Sequence, residues 1–341
     1  MMTIWPAGNA ARSAAVLVIS LCVSGVAFGD EVSAEPAIGA KPVLDDRYPE
    51  RRTTFHGGVT GLPDVTYSVV SGFRPLTLDL YLPPSKREDG SPTVVYVHGG
   101  GWMSGHTRHS GAFENWPEVL ASIAAQGYVV ASLNYRLSGE APSPAAEQDI
   151  KSALRWLRTN ATRYGIDKQH IGIWGGSAGG QLASLAGTSC GVAALEPPAA
   201  DANAPVESDC VQAVVTWYGI FDFSPLVQNG AGATPVAHYL GCGSSSCPKE
   251  AVALASPIRH IDRADPPFLL IHGALDQTVA VSQSERFHAA LLAHGVKSQL
   301  VVLPDVDHSF VGRTTELTRS ASLRALRATI EFFDATLHKE P

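Results

Sequence analysis

From about residue 93 onward, short apolar runs rich in β-branched residues alternate with segments of helical periodicity. The apolar runs begin with TVVYVHGG and continue through YVVASLNY, HIGIWGG, CVQAVVTWYG and PPFLLIHG to SQLVVLP. A continuous apolar run of this kind is typical of a strand buried on both faces. Strands that alternate with helices form a mostly parallel sheet with helices on both sides. The expected fold class is therefore α/β.

The first 29 residues have the three-part layout of a secretory signal peptide. Arg12 precedes the apolar run AAVLVISLCVSGVAF, and cleavage after Gly29 leaves Ala27 and Gly29 at the small-residue positions. An uncleaved N-terminal anchor is the alternative, although the apolar run is short for a membrane span. The prediction is an exported protein, periplasmic or extracellular, with no stable membrane association after cleavage.

The remaining chain is divided into a linker and one domain. Residues 30–60 carry Pro, Gly and charge without periodicity, and we interpret them as a linker or an N-terminal arm. Residues 61–341 form the predicted domain, which opens with VTYSVV and LTLDLYLP, two alternating runs typical of half-buried antiparallel strands. The irregular insertion at about 220–263 is predicted to be a small cap at the carboxyl edge of the sheet, where open α/β folds bind ligands.

Composition limits the class of partner and the redox compartment. Apolar residues make up 45% of the chain and charged residues 17%, and the formal net charge is −7 without a basic cluster. Such a chain buries a sizeable core and is unsuited to nucleic acid or an anionic membrane surface. Four cysteines remain after signal cleavage, and in an oxidising compartment we expect two disulfides. Three pairings are possible, of which we favour Cys190–Cys210 and Cys242–Cys247; a zinc site is the rival, but the spacings do not match.

The stretch IGIWGGSAGG has the sequence of a nucleophile elbow. Gly175-Gly176-Ser177-Ala178-Gly179 lies between a predicted strand and a predicted helix, which is the context in which G-x-S-x-G carries chemistry. The sharp turn requires small neighbours and lifts the serine hydroxyl above the sheet. A plain glycine-rich turn is the alternative. With strand and helix on its flanks, the motif indicates Ser177 as a nucleophile.

A serine nucleophile requires a general base and a group that orients the base. In this fold the expected chain order is Ser, then Asp or Glu, then His, on loops after later strands. Asp276 follows PFLLIHG, and His308 follows LVVLP. We predict these two as the acid and the base. Asp305 and Asp307 are adjacent alternatives to Asp276, but either would need an unusual local geometry.

The segment HGGGW at residues 98–102 is predicted to supply donors for an oxyanion. Glycines let a backbone pass close to a ligand and aim its N–H groups inward. We expect the N–H groups of Gly100 and Gly101 to act with that of Ala178; a shift of one residue, which would use Trp102, is the alternative. His98 is expected to brace the loop. His106 and His109 are interpreted as a solvated loop rather than as metal ligands, and no cofactor is implied.

Several aromatic and polar residues near these motifs are candidates for the substrate pocket, although each could equally belong to the core. They are Trp102, Trp217, Tyr218, Gln277 and Phe310.

These motifs together resemble the α/β-hydrolase superfamily, in its HGGG-type serine esterase branch. More narrowly, LTLDLYLPPS, VVYVHGGGW, IGIWGGSAGG, HGALDQTV and LPDVDHSF resemble secreted carboxylesterases grouped with bifunctional acetylxylan/feruloyl esterases. The resemblance implies a mostly parallel sheet with a small cap and a triad of Ser177, Asp276 and His308. It implies hydrolysis of short-chain acyl esters, including acetyl or feruloyl esters of carbohydrate. The segment CGVAALEPPAADANAPVESDC departs from the family pattern, so the pocket shape is not carried over.

Two other functions are compatible with the same residues. A serine amidase or exopeptidase uses the same triad, although such peptidases usually carry a large additional domain. A non-catalytic binding protein on this fold is the second alternative, but such proteins typically lose a triad residue, and this chain keeps all three.

Overall fold

The computed structural model describes residues 51–198, 206–227, 234–242 and 246–338. Within these residues, nine strands form one sheet: β1 (Thr53–Thr54), β2 (Thr60–Ser68), β3 (Leu76–Leu82), β4 (Ser91–Val97), β5 (Val129–Leu133), β6 (Ile166–Gly176), β7 (Ala213–Trp217), β8 (Phe268–Gly273) and β9 (Ser298–Leu303). Their spatial order is β1-β2-β3-β5-β4-β6-β7-β8-β9. All neighbours from β5 to β9 pair in parallel, whereas β1, β2 and β3 pair antiparallel, including β3 with β5. The predicted α/β sheet is confirmed.

Helices connect the parallel strands and cover both faces of the sheet. They are α1 (Trp116–Ala124), α2 (Ala145–Thr159), α3 (Ala161–Tyr164), α4 (Ala178–Thr188), α5 (Ser224–Val227), α6 (Pro235–Leu240), α7 (Lys249–Ala255), α8 (Ser282–Ala293) and α9 (Thr315–Leu337). Helices α2, α4 and α8 pack on one face, and α1 and α9 pack on the other. In α2 the side chains of Ile150, Leu154 and Leu157 share one face of the helix and are fully buried.

Strand β4 illustrates how one strand serves both layers. Its residues are all buried, and successive side chains point to opposite faces of a sheet. Val95 and Val97 join the core that contains α2 and α4, whereas Val94 and Tyr96 join the core that contains α1 and α9. Burial on both faces favours apolar side chains, which explains the uninterrupted apolar run from Val94 to Val97.

The sheet begins before residue 61, the position predicted from the sequence as the start of the domain. Thr53 in β1 pairs with Gly61 in β2, and the Phe55 ring packs 5.4 Å from the Tyr81 ring. A strand of two residues is too short to show periodicity in the sequence. This strand therefore falls within the predicted linker. The predicted signal peptide at 1–29 and most of the predicted linker lie outside the described residues. No helix in the described part of the chain is both long and apolar enough to span a membrane.

The predicted cap region contains α5, α6 and α7 in its described parts. Between α6 and α7, a disulfide joins Cys242 to Cys247 with a Cα–Cα distance of 4.9 Å. A second disulfide joins Cys190, shortly after α4, to Cys210, shortly before β7, with a Cα–Cα distance of 5.1 Å. The structure therefore contains both of the favoured pairings.

Candidate active site

Ser177 occupies a strained turn between β6 and α4. Its backbone has φ 56° and ψ −122°, a region that residues with a Cβ rarely adopt. Its N–H donates to the carbonyl oxygen of Trp217 on the neighbouring strand at 2.9 Å, which fixes the turn. A Cβ on Gly179 would overlap the carbonyl oxygen of Val97, so the helix can start this close to the sheet only with glycine there. The geometry is that of a nucleophile elbow.

The three predicted triad side chains form a continuous hydrogen-bonded chain. His308 Nε2 lies 3.0 Å from Ser177 Oγ, and His308 Nδ1 lies 2.8 Å from Asp276 Oδ2. A carboxylate only accepts hydrogen bonds, so Nδ1 carries the proton and Nε2 is left to accept from the serine hydroxyl. This is the tautomer that a general base requires. Three residues far apart in the sequence are thus brought into the arrangement that a serine nucleophile needs.

Asp276 is buried and surrounded by hydrogen-bond donors. Burial raises its pKa, but hydrogen bonds from His272, His308 and the backbone N–H of Val279 outweigh that effect and hold the pKa well below its usual range. Its Oδ1 accepts from the N–H groups of Thr278 at 2.9 Å and Val279 at 2.8 Å. The carboxylate therefore stays ionised and fixed in direction across the neutral pH range.

His272, near the end of β8, contacts the carboxylate of Asp276 and helps to hold it in place. Its fully buried ring places Nε2 at 2.8 Å from the Val279 carbonyl and 3.2 Å from Asp276 Oδ2. Nδ1 lies 2.7 Å from Ser284 Oγ. Because a carbonyl can only accept, the Nε2 atom carries the proton and also points it toward Asp276. This contact was not predicted from the sequence, although the four-residue spacing of His272 and Asp276 in HGALD was a usable signal.

The neighbouring carboxylates do not replace Asp276 in the structure. Asp307 Oδ1 accepts from the backbone N–H groups of Gln277 at 2.9 Å and His308 at 2.6 Å, so it shapes the loop rather than contacting the imidazole. Asp305 is exposed to solvent.

The HGGGW segment forms the second wall of the site; residues 98–104 are called the oxyanion loop below. Gly100, Gly101 and Trp102 have φ values of 113°, 61° and 58°. The Gly100 carbonyl accepts from the N–H groups of Met103 and Ser104, both at 3.1 Å, which folds the loop back on itself.

Backbone donors in this loop are free to bind an anion. In the described part of the chain, the N–H groups of Gly100, Gly101 and Ala178 have no protein acceptor, and all three residues line the cleft beside Ser177. The N–H of Trp102 also lacks one, so both registers predicted for the oxyanion hole have donors available. Backbone N–H groups without an acceptor beside a nucleophile are suited to a developing negative charge.

His98 braces the oxyanion loop, as the sequence indicated. The ring is 2% exposed, stacks on Tyr135 with centroids 4.4 Å apart, and has Nδ1 at 2.8 Å from the Gly99 carbonyl. Burial lowers the pKa of His98 to about 4, so the ring is neutral at neutral pH. It therefore supplies packing and a hydrogen bond rather than charge.

The cleft in front of Ser177 has a volume of about 730 Å³. The described residues that line it include no Lys, Arg, Asp or Glu; they come from the oxyanion loop, the elbow, the ends of β7 and β8, the His308 loop and the cap, which contributes Pro235 and Val236. His106 and His109 also lie on its wall. Among the described residues, no group of three or more His, Cys, Asp or Glu is placed to hold a metal ion. The described wall of the cleft therefore carries no permanently charged side chain.

Two of the five candidate pocket residues line the cleft, and three do not. Trp102 and Tyr218 form part of its wall. Trp217 and Phe310, both 1% exposed, belong to the core beneath α9, where the Trp217 indole N–H donates to Thr329. Gln277 is exposed to solvent. These last three therefore do not line the cleft in the structure.

Tyr218 forms the floor of the cleft beneath the imidazole. It follows β7 with φ 40°, and its ring centroid lies 4.7 Å from that of His308. Burial raises the pKa of the phenol above its ordinary value, so the hydroxyl stays protonated. Its side chain is hydrogen-bonded to that of Ser309, the residue after the imidazole. Tyr218 thus fixes both the ring and the loop that carries it.

Comparison with known proteins places this site in a family. The BD-FAE family model matches residues 78–291. The chain belongs to the BD-FAE family. Esterase LipQ of Mycobacterium tuberculosis (strain ATCC 25618 / H37Rv) is 31% identical over 253 residues, which cover 72% of this BD-FAE chain and 56% of LipQ. The chain spans little more than half the length of the named relatives that it matches first.

Solved structures support the same fold for this BD-FAE chain. A truncated carbohydrate esterase from gut microbiota is 27% identical with a TM-score of 0.65, over 81% of this chain and 95% of that one. A bifunctional GH43-CE protein of Bacteroides eggerthii is 32% identical with a TM-score of 0.67, over 81% of this chain and 38% of that one. The architecture is the α/β-hydrolase fold that the motifs predicted.

Proposed function

We propose that the protein is a serine carboxylesterase that hydrolyses short-chain acyl esters through an acyl-enzyme on Ser177. The hydrogen-bonded chain from Asp276 through His308 to Ser177 carries the proposal, because a cleft with free backbone donors lies directly in front of the serine hydroxyl. The family and the named esterases among its relatives support the same reaction class.

The first half of the proposed reaction forms the acyl-enzyme. Ser177 Oγ attacks the ester carbonyl carbon while its proton moves to His308 Nε2, and Asp276 stabilises the resulting imidazolium through Nδ1. The carbonyl oxygen becomes an oxyanion and accepts from the N–H groups of Gly100, Gly101 and Ala178. When the tetrahedral intermediate collapses, His308 returns the proton to the leaving alkoxide, and the alcohol departs.

The second half repeats the same steps with water. A water molecule gives one proton to His308 Nε2 and attacks the acyl carbon, and a second tetrahedral intermediate forms in the same hole. Its collapse returns the proton to Ser177 Oγ and releases the carboxylic acid. Apart from this water molecule and the ester, residues of the chain supply every group that takes part in the two proposed halves.

The substrate class is proposed to be uncharged esters, including acetyl or feruloyl esters of carbohydrate. A cleft of about 730 Å³ accommodates a sugar ring or an aromatic acyl group, and its described walls carry no permanently charged side chain. Two similar solved proteins are named as a carbohydrate esterase and a bifunctional GH43-CE protein, which supports carbohydrate as the alcohol.

We further propose that the protein is exported. The two disulfides in the structure are compatible with an oxidising compartment, and the N-terminal residues have the layout of a signal peptide. Mass measurement of the protein purified from its native host would test this, with cleavage after Gly29 as the expected result.

Initial rates on p-nitrophenyl esters from acetate to palmitate test the proposed activity, with Ser177→Ala as the control. We expect activity to fall steeply beyond butyrate and to disappear in the variant. Acetylated xylan and methyl ferulate then test the alcohol and acyl preferences. Activity that survives in Ser177→Ala would show that the nucleophile is misassigned. Cleavage of an aminoacyl p-nitroanilide but of no ester would identify an amidase instead.

A further inference from the structure

A fully buried glutamine lies one helical turn beyond the proposed nucleophile. Gln181 is on α4, and its backbone N–H donates to the Ser177 carbonyl at 3.0 Å. It belongs to neither the triad nor the oxyanion hole, and it does not line the cleft. A buried amide requires partners for one acceptor oxygen and two N–H donors, and each unmet partner is costly.

The side chain of Gln181 meets this requirement with three different elements. Its Oε1 accepts from the indole Nε1 of Trp102 in the oxyanion loop at 2.9 Å. Its Nε2 donates to the Ala255 carbonyl in α7 at 2.9 Å and to the Tyr239 hydroxyl in α6 at 3.3 Å. One amide therefore ties the nucleophile helix, the oxyanion loop and the cap together.

Trp102 is the residue of the oxyanion loop that Gln181 contacts. It ends the run of three positive φ values that begins at Gly100, and unlike the two glycines it has a Cβ, so its backbone conformation is strained. Such a conformation persists only where the surroundings fix it. The indole is 2% exposed, its ring stacks on Tyr239 with centroids 4.4 Å apart, and its only side-chain polar atom bonds to Gln181.

We propose that Gln181 is a positioning residue: its hydrogen bond to the Trp102 indole fixes the turn that points the Gly100 and Gly101 N–H groups at the developing oxyanion. The inference rests on the proposed esterase function. Groups that stabilise a transition state act through their fixed direction, so a loosened loop lowers the catalytic rate more than it weakens substrate binding. The cap then contributes to catalysis as well as to the cleft wall, because it holds the other end of the same amide.

The test compares Gln181→Met, which keeps the length of the side chain and removes all three hydrogen bonds, with the wild-type enzyme. Active sites are counted with paraoxon, which releases one p-nitrophenolate for each reactive serine. With p-nitrophenyl acetate, kcat for each titrated site should fall about 10- to 100-fold, less than the loss of an oxyanion donor itself. KM should change less than about threefold. The affinity for a trifluoromethyl ketone that mimics the tetrahedral intermediate should fall in proportion to kcat/KM.

A second variant and a matched control separate positioning from general stability. Trp102→Phe removes the indole N–H that donates to Gln181. If the two substitutions act through this one bond, kcat of the double variant Gln181→Met/Trp102→Phe should be no lower than that of the slower single variant. Gln283→Met removes a different buried glutamine, whose side chain bonds to the backbone of Phe221 and Asp222, and should leave kcat for each site within about threefold of wild type.

Three results would overturn the proposal. These are an unchanged kcat for each titrated site in Gln181→Met, rate losses that multiply in the double variant, and an equal loss in Gln283→Met. If Gln181→Met yields no titratable sites, an unchanged kcat in Trp102→Phe overturns it and a 10- to 100-fold loss supports it. A wild-type protein inactive on every ester would instead refute the proposed function.

Discussion

Glu147 is a buried carboxyl group whose replacement should change how stability depends on pH. It lies in the first turn of α2, is fully buried, and neither carboxylate oxygen has a hydrogen-bond partner among the described residues. Lys151, one turn further, does not supply one, because its ammonium donates to the Ser189 carbonyl, Glu196 and Asp209 at 2.7, 2.9 and 3.1 Å. An ammonium has only three N–H donors. Burial therefore raises the pKa of Glu147 from 4.5 to about 8.

The sign and size of the effect follow from the two pKa values. Between pH 4.5 and 8 the unfolded chain has lost the Glu147 proton while the folded protein still holds it, so stability falls as pH rises. The slope is about −1.4 kcal/mol per pH unit, and it disappears above the folded pKa. At pH 7 the accumulated cost is on the order of 3 kcal/mol, whereas at pH 4 it is almost absent.

Glu147→Gln should remove this dependence. The free energy of unfolding, measured by urea denaturation at several pH values from 5 to 8, should rise relative to wild type by about 1.4 kcal/mol per pH unit up to pH 7. The amide adds buried donors of its own, but their cost is independent of pH, so the slope is the quantity that tests the reasoning. Glu316→Gln, which removes an exposed carboxyl from the first turn of α9, should show no such slope.

Two results would refute the assignment of Glu147. The difference between Glu147→Gln and wild type could be constant from pH 5 to pH 8, which would mean that the group titrates alike in both states. Alternatively, the variant could lose more stability as the pH rises. A buried Glu147 that is ionised and stabilised by Lys151 would give the constant difference, because such a carboxyl is ionised in both states throughout pH 5 to 8.

Three further substitutions test the proposed site. Asp276→Asn should lower kcat on p-nitrophenyl acetate about 10⁴-fold, because the His308 tautomer is no longer held. The control Asp305→Asn should keep kcat within about threefold of wild type. Equal losses in the two variants would show that Asp276 is not the acid of the triad. Gly100→Ala should lower kcat at least about 100-fold, since a Cβ there would overlap the Ser104 carbonyl and displace an oxyanion donor, and steady-state rates for each titrated site will decide this. The free energy of unfolding of Ser177→Gly should exceed that of Ser177→Ala by about 1 kcal/mol, because glycine adopts the positive φ with less strain. Equal free energies of unfolding in urea denaturation would show that the elbow stores no strain.

The triad could be predicted because its signals are local. Ser177 is marked by the glycines around it, and Asp276 and His308 are marked by their places directly after apolar runs. The order of strands then brings the three loops to one edge of the sheet, as the parallel pairing of β6, β7, β8 and β9 shows.

The pocket residues could be predicted only in part, because neighbouring residues can point in opposite directions. Trp217 enters the core and reaches Thr329, 112 residues away, whereas Tyr218, the next residue, lines the cleft. The same change occurs between Ser309, which lines the cleft, and Phe310, which is buried. A shift of one residue reverses the face of a side chain, and nearness to a motif in the sequence does not determine that register.

Backbone strain gives an independent indication of where the site lies. Seven non-glycine residues in the described chain have positive φ, and four of them, Trp102, Ser177, Tyr218 and Ser309, line the cleft. Each such residue costs about 1–3 kcal/mol and persists only where its neighbours over-determine it. The hydrogen bond to Gln181 helps to hold the strained conformation of Trp102, and the hydrogen bond to the Trp217 carbonyl does the same for Ser177. The residues that give the cleft its shape therefore include buried ones that never face a ligand, and stabilising substitutions that relax these turns should lower activity as they raise stability.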